Sequence, residues 1–173
     1  MKGKRLIIMA GLPGSGKSTV AAGFAKGLGV PVISVDPLEA AMWRSGIPAA
    51  MTGISAYVIA EAIAEENLKL GLTVIVDAVN PVNAARMAWV RLAERTNAAL
   101  VFVECFCSDP AVHRKRIERR VREIAGMAEI TWDRVEERRA EYEAWRVPRI
   151  TVDTAMDDPE ELVKHLLPLL RGE

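Results

Sequence analysis

The sequence is short of several things, and each shortage excludes a class of protein. Only two cysteines and two histidines occur among its 173 residues. Cys105 and Cys107 stand two apart in Leu100-Val101-Phe102-Val103-Glu104-Cys105-Phe106-Cys107. That spacing does not suit a disulfide, and two thiols are too few for a structural zinc site. They are expected as reduced thiols in a core or at a strand end. His113 and His165 sit apart, and neither is assigned a metal. An excess of charge is also lacking, since 23 basic residues balance 23 acidic ones. This counts against a protein whose main work is gripping polyanions, although a local basic patch can still do so. No apolar run reaches the length that spans a bilayer. The apolar run after Arg5 is too short for an export signal and enters a glycine-rich loop directly, so a cytoplasmic location is expected. Repeats, low-complexity tracts and linkers are absent. Half the residues are hydrophobic, and the length suffices for one domain with a full core, expected over 1–173.

What is present is concentrated at one end. Residues 11–18 read Gly11-Leu12-Pro13-Gly14-Ser15-Gly16-Lys17-Ser18, the Walker A pattern G-x-x-x-x-G-K-S. A triphosphate needs many donors converging on a small volume. Glycines let backbone N–H groups turn inward, the lysine reaches the terminal phosphates, and the serine hydroxyl holds Mg²⁺. The context agrees. Arg5–Ala10 suits a buried strand, and Thr19–Leu28 suits a helix whose N-terminal dipole favours an anion. Gly11, Leu12, Pro13, Gly14, Ser15, Gly16, Lys17, Ser18 and Thr19 are therefore expected to bind ATP. Lys17 is expected to be solvated, facing the phosphates.

Strand and helix patterns alternate along the rest of the chain. A second strand over 30–35 ends at Asp36, with a short helix over about 37–44. A break follows at Gly46-Ile47-Pro48. A long helix covers about Ser55–Leu70, with Val58, Ile59, Ala62, Ile63 and Leu70 near helical spacing. Leu72–Val76 is a third strand ending at Asp77. Asn80-Pro81 opens a helix to about Thr96, with the proline in its first turn. The fourth strand is 98–106, and Asp109-Pro110 opens a basic helix to about Arg122. Beyond a loop containing Gly126, Thr131 caps a helix to about Trp145, with Asp133 in its first turn. A strand at about 149–153 and a helix at about 158–170 complete the chain. This pattern predicts an α/β fold: a five-stranded parallel sheet with helices on both faces. Ligands of such sheets bind outside the C-terminal strand ends. The phosphate loop, Asp36 and Asp77 all fall at that edge.

The chemistry follows from those positions. Asp36 is placed to accept a proton from a hydroxyl attacking the γ-phosphate, or else to cap the next helix. Asp77 has the form of a Walker B acid. It would hold Mg²⁺ with Ser18, directly or through water, or orient the substrate and Asp36. The run His113–Arg122 carries six Arg or Lys residues against one acid, Glu118. Arg116 and Arg120 are four apart, hence on one helical face, and suited to neutralising phosphate charge during transfer. A plain basic surface helix is the other reading, and nucleic-acid binding a third.

The run Asp77-Ala78-Val79-Asn80-Pro81-Val82-Asn83-Ala84-Ala85-Arg86 resembles the D-x-N-x-x-P-x-x-R segment of phage polynucleotide kinase domains. The likeness continues through the basic helix to Ile130-Thr131-Trp132-Asp133-Arg134-Val135 and Arg139-Ala140-Glu141-Tyr142. It covers most of the chain and points to the zeta-toxin-like and polynucleotide-kinase-like P-loop kinases. The stretch Tyr142–Thr154 also resembles adenylylsulfate kinase, in which the corresponding loop lies beside the purine, implicating Thr154. The resemblance implies Lys17 and Ser18 on phosphate and Mg²⁺, Asp36 as general base, and a lid over about 113–130 bearing Arg116 and Arg120. One departure stands out. The polynucleotide enzymes carry an arginine soon after the catalytic aspartate, whereas here Asp36 is followed by Pro37-Leu38-Glu39-Ala40 and the next arginine is Arg44. Segment 37–57 instead offers Leu38, Met42, Trp43, Ile47, Met51, Ile54 and Tyr57, suited to a small molecule with an apolar or ring face.

The expectation is an ATP- and Mg²⁺-dependent kinase acting on a hydroxyl of a small molecule. The alternatives are a 5′-hydroxyl polynucleotide kinase and an ATPase switch without an acceptor. No guanine-specific N-K-x-D motif appears, and no further effector domain is expected.

Overall fold

The computed structural model describes residues 3–121, 124–156 and 158–172. Five strands form one sheet: β1 (Arg5–Ala10), β2 (Val32–Ser34), β3 (Val74–Asp77), β4 (Ala99–Phe106) and β5 (Ile150–Asp153). Their spatial order is β2-β3-β1-β4-β5, and every neighbouring pair is parallel. Parallel strands must be joined by crossovers, and helices fill that role: α1 (Lys17–Leu28), α2 (Val35–Arg44), α3 (Gly53–Lys69), α4 (Asn83–Thr96), α5 (Pro110–Arg119) and α6 (Trp132–Ala140), with α7 (Pro159–Arg171) following the last strand. β1 is apolar on both sides of its pleat because both faces of the sheet are covered. Leu6 and Ile8 face a core with the buried residues of α3 and α4, including Ala60 and Trp89. Ile7 and Met9 face a second core built with Phe24 of α1 and Leu166 and Leu170 of α7. Among the described residues, no helix is long and apolar enough to cross a membrane.

Register brings the strand ends level. Asp77 lies opposite both Met9 and Ser34, so β1, β2 and β3 end on one line. The phosphate loop, the start of α2 and the residues after β3 emerge there together.

Several expected boundaries shift, each for a physical reason. β2 stops at Ser34 and α2 begins at Val35, so Asp36 belongs to a first helical turn and not to a strand end. In α3 the buried stripe is Ala56, Ala60, Ala64 and Leu68. Val58, Ile59, Ile63 and Leu70, the larger residues that hydropathy would bury, are 57%, 38%, 38% and 77% exposed. Bulky side chains of the sheet and Trp89 already fill that core, so the helix approaches on its smallest face. Asn80-Pro81 does not open α4. Asn80 takes a left-handed φ of 51°, and the helix begins at Asn83, whose N–H donates to the Glu143 carboxylate at 2.6 Å. α6 is capped by the Thr131 hydroxyl as expected but ends at Ala140, because Tyr142 and Trp145 turn back onto Arg86. α5 is capped by the Asp109 carboxylate and ends at Arg119. Arg120 is extended and lies beyond the helix, so the shared helical face expected for Arg116 and Arg120 does not exist. Arg122, the expected helix end, lies outside the described residues.

Candidate active site

The phosphate loop is shaped by its glycines. Gly11 has φ 136°, and a Cβ there would lie 2.1 Å from the Cys105 carbonyl oxygen. Gly16 has φ 85° and precedes the first residue of α1, so the loop meets the helix N-terminus through a conformation that other residues resist. Gly14, Gly16, Lys17, Ser18 and Thr19 line a cavity of about 400 Å³. Leu12 and Gly11 do not line that cavity: the Leu12 carbonyl accepts from Ser15 N at 3.1 Å, and Gly11 packs on β4. Lys17 is 4% exposed, so the expected solvated lysine is instead held within the loop.

Two residues that do not belong to the loop hold it in place. The Thr154 hydroxyl donates to the Ser15 carbonyl at 2.8 Å and accepts from Arg116 Nη1 at 2.7 Å. Arg116 Nη2 donates to the Thr154 carbonyl at 2.6 Å. Arg116 is thus clamped to the loop after β5 while lining the phosphate cavity with Arg119 and Arg120. The second is His113, which the sequence reading passed over. It is buried, with Nε2 2.7 Å from the Pro13 carbonyl and Nδ1 3.3 Å from Arg139 Nη2. The pattern requires a neutral ring that donates to Pro13 and accepts from Arg139. Burial, aided by Arg139 and Arg116, pushes its pKa below the usual histidine value.

A second cavity, of about 270 Å³, adjoins the first through Lys17, Ser18 and Arg120, and is also lined by Asp36 and Asp77. The expected lysine, serine and both aspartates therefore converge. Asp77 is 8% exposed, and its Oδ1 has no hydrogen-bond partner among the described residues; neither has the buried Oγ of Ser15. An orphaned carboxylate oxygen beside a serine hydroxyl fits a hard cation, and a loop of inward-turned glycines fits a polyphosphate.

On its other side Asp36 borders a third cavity, of about 500 Å³, walled by Ile54, Tyr57, Val58, Val82, Ala85 and Trp89. Tyr57 receives the Asn80 N–H at 3.1 Å, and burial pushes its pKa up to about 12, so it is neutral. A fourth, of about 380 Å³, also includes Asp36, with Trp43 and residues 127–131 along its wall. Of the apolar residues expected to face a substrate, Trp43, Ile54 and Tyr57 line these cavities. Leu38 and Met42 pack on the core.

The asparagine and arginine of the segment after β3 are structural. Asn80 is fully buried; its Nδ2 donates to the Met9 carbonyl at 2.9 Å and its Oδ1 accepts from Trp89 Nε1 at 2.8 Å. Arg86, also fully buried, donates to the carbonyls of Asn80, Pro81, Glu143 and Ala144 and lies 4.0 Å from the Trp145 ring centre. No charge pattern marks such an arginine in a sequence. Cys105 and Cys107 are buried free thiols, and burial pushes the Cys105 pKa up to about 12, leaving it inert at neutral pH.

The AAA domain family matches residues 6–157, and the chain belongs to it. Solved structures with the same fold include a Chloroflexus aurantiacus protein provisionally called a kinase, at 21% identity and TM-score 0.80, covering 99% of this chain and 98% of that one. A sugar kinase from a Janibacter species is similar at 19% identity and TM-score 0.70, over 96% and 94% of the two chains. The Mycobacterium tuberculosis APS kinase CysC, solved with AMPPNP and APS, is similar at 17% identity and TM-score 0.72, over 98% and 99%. The fold is that of P-loop kinases.

Proposed function

We propose that this chain is a cytoplasmic, ATP-dependent phosphotransferase that moves the γ-phosphate to a hydroxyl of a small molecule. The observation that carries the reading is the position of Asp36. It borders the cavity shared by Lys17, Ser18 and Asp77, and equally the apolar cavity large enough for an acceptor. The kinase names of the structural neighbours support the same class.

In this reading the backbone N–H groups of 14–18 and Lys17 hold the triphosphate, with Thr154 beside the nucleotide. Ser18 and Asp77 would hold Mg²⁺, which neutralises phosphate charge when bound. The acceptor hydroxyl lies on the Asp36 side, and Asp36 takes its proton as the oxygen–phosphorus bond forms. ADP departs, and the proton returns to solvent. Lys17, Arg116 and Arg120 balance charge on the transferring group. The basic segment over about 113–130 acts as a lid. An acceptor cavity walled by apolar side chains favours a small molecule over a 5′-hydroxyl polynucleotide. Its size favours transfer over an ATPase switch.

Asp36→Asn tests this directly. Acceptor phosphorylation should fall by about 10²–10⁴-fold. ATP affinity and slow acceptor-free hydrolysis should survive, since neither uses that base. A parallel loss of all three would make Asp36 a structural or metal-binding residue.

A further inference from the structure

The outward half of α3 carries the wrong side chains for a helix that faces only water. Of the twelve large apolar residues exposed among the described residues, eight fall within 47–72, so the exposed apolar surface is gathered in one place. The helix rests on the core through Ala56, Ala60, Ala64 and Leu68. It therefore turns Ile54, Val58, Ile59 and Ile63 outward, with Met51 just before it and Leu70 at its C-terminal end. Ile54 is 83% exposed. The apolar cavity beside Asp36 accounts only for Ile54 and Val58; Ile59, Ile63 and Leu70 line none of the four cavities described above. At ordinary side-chain areas these six residues together expose roughly 650 Å², more than most monomers leave in one patch and close to what one partner of a stable dimer buries.

The charges bordering this face are already paired within the chain. Glu61 and Glu65 meet Arg95 at 2.7 and 2.8 Å, and Lys69 meets Glu65 and Glu66 at 3.2 and 2.9 Å. These four are all the charged residues of α3. A partner of one dominant sign finds nothing here to complement. An apolar face without spare charge is its own complement, which is what an isologous two-fold contact requires. Ala62, exposed between Val58 and Ile63, leaves room for a second helix to approach closely. We infer that a second copy of this chain covers this face, the two α3 helices packing antiparallel across a two-fold axis between Ile59 and Ile63. Ile59 of each copy then meets Ile63 of the other. Antiparallel pairing also sets the positive end of each helix dipole beside the negative end of its neighbour. The inference is independent of the kinase reading.

Sedimentation velocity on the full chain, over a range of concentrations up to about 100 µM, tests it. The wild type should sediment with twice the mass of one chain. Ile59→Glu and Ile63→Lys each bury a charge in the apolar contact, and each should move dimerisation to at least about tenfold higher concentration. Both positions are exposed in the single chain, so far-UV circular dichroism should stay unchanged. Mixing the two variants should restore the dimer, because antiparallel pairing sets the new carboxylate against the new ammonium and leaves the other end of the contact apolar. Leu169→Glu, at an exposed apolar position on α7, should stay dimeric. A wild type that stays monomeric, single variants that dimerise undiminished, or a mixture that stays monomeric would overturn the inference. A monomer that cosediments with phosphatidylcholine vesicles would give the face to a lipid surface and overturn it as well.

Discussion

Arg86 shows how little a residue's charge says about its role. Its four carbonyl acceptors belong to Asn80 and Pro81 before α4 and to Glu143 and Ala144 after α6, so one side chain ties two loops together. Removing it orphans buried acceptors and leaves Asn80, which itself holds the end of β1, without a partner for its carbonyl. Arg86→Ala should cost at least about 3 kcal/mol, read from the urea midpoint. Arg86→Lys should recover only part, because an ammonium cannot reach all four carbonyls. A fully stable Arg86→Ala variant whose activity alone is lost would instead mark a catalytic arginine.

At the scale of elements, the contact to watch is α5 against the phosphate loop. His113 on α5 donates to the Pro13 carbonyl, accepts from Arg139 on α6, and meets the Trp132 ring edge-on at 5.2 Å. A Cβ on Gly14 would lie 2.7 Å from Ile117 on the same helix, so loop and helix are in close contact. Protonating His113 would place a proton on Nδ1 against the Arg139 guanidinium and break the link. Its folded pKa lies below the unfolded value of 6.5. The unfolded chain then binds more protons, and the stability this neutral histidine contributes is full above that value and lost as pH falls through it. Between about pH 7.5 and 5.5 the wild type should lose more stability than His113→Gln, in urea midpoints taken side by side. A wild type that gains relative to the variant on acidification would reverse the sign and refute the neutral assignment.

The molecule as a whole should answer to nucleotide as one unit. The phosphate cavity draws its walls from the loop after β1, from α5 and Arg120, and from Thr154 after β5. A ligand there bridges segments from both ends of the chain, and it stabilises only the folded state. At a hundredfold excess over Kd, AMPPNP with Mg²⁺ should raise Tm by about 5–10 °C. Lys17→Ala should flatten that shift, read by thermal denaturation with and without nucleotide. A variant that keeps the whole shift would place nucleotide binding somewhere other than this loop.

What the sequence by itself determined was local. A run of five apolar residues after Arg5, glycines at fixed spacing and a following helix carry the phosphate loop within a few consecutive residues, and alternation of strand and helix patterns carries the parallel sheet. Asp77 was legible because strand ends on one edge of such a sheet are brought level by register, and Asp36 because the first turn of α2 starts directly from the end of β2 on that edge. Only the tertiary structure decided which face of α3 is buried, because an alanine stripe wins by close approach, which hydropathy does not register. It also decided that Arg120 leaves the helix, that His113 and Arg86 are braces, and that Arg138 of α6 lines the same cavity as Asp36. Each of these depends on contacts between residues remote along the chain, and such contacts leave no periodicity behind.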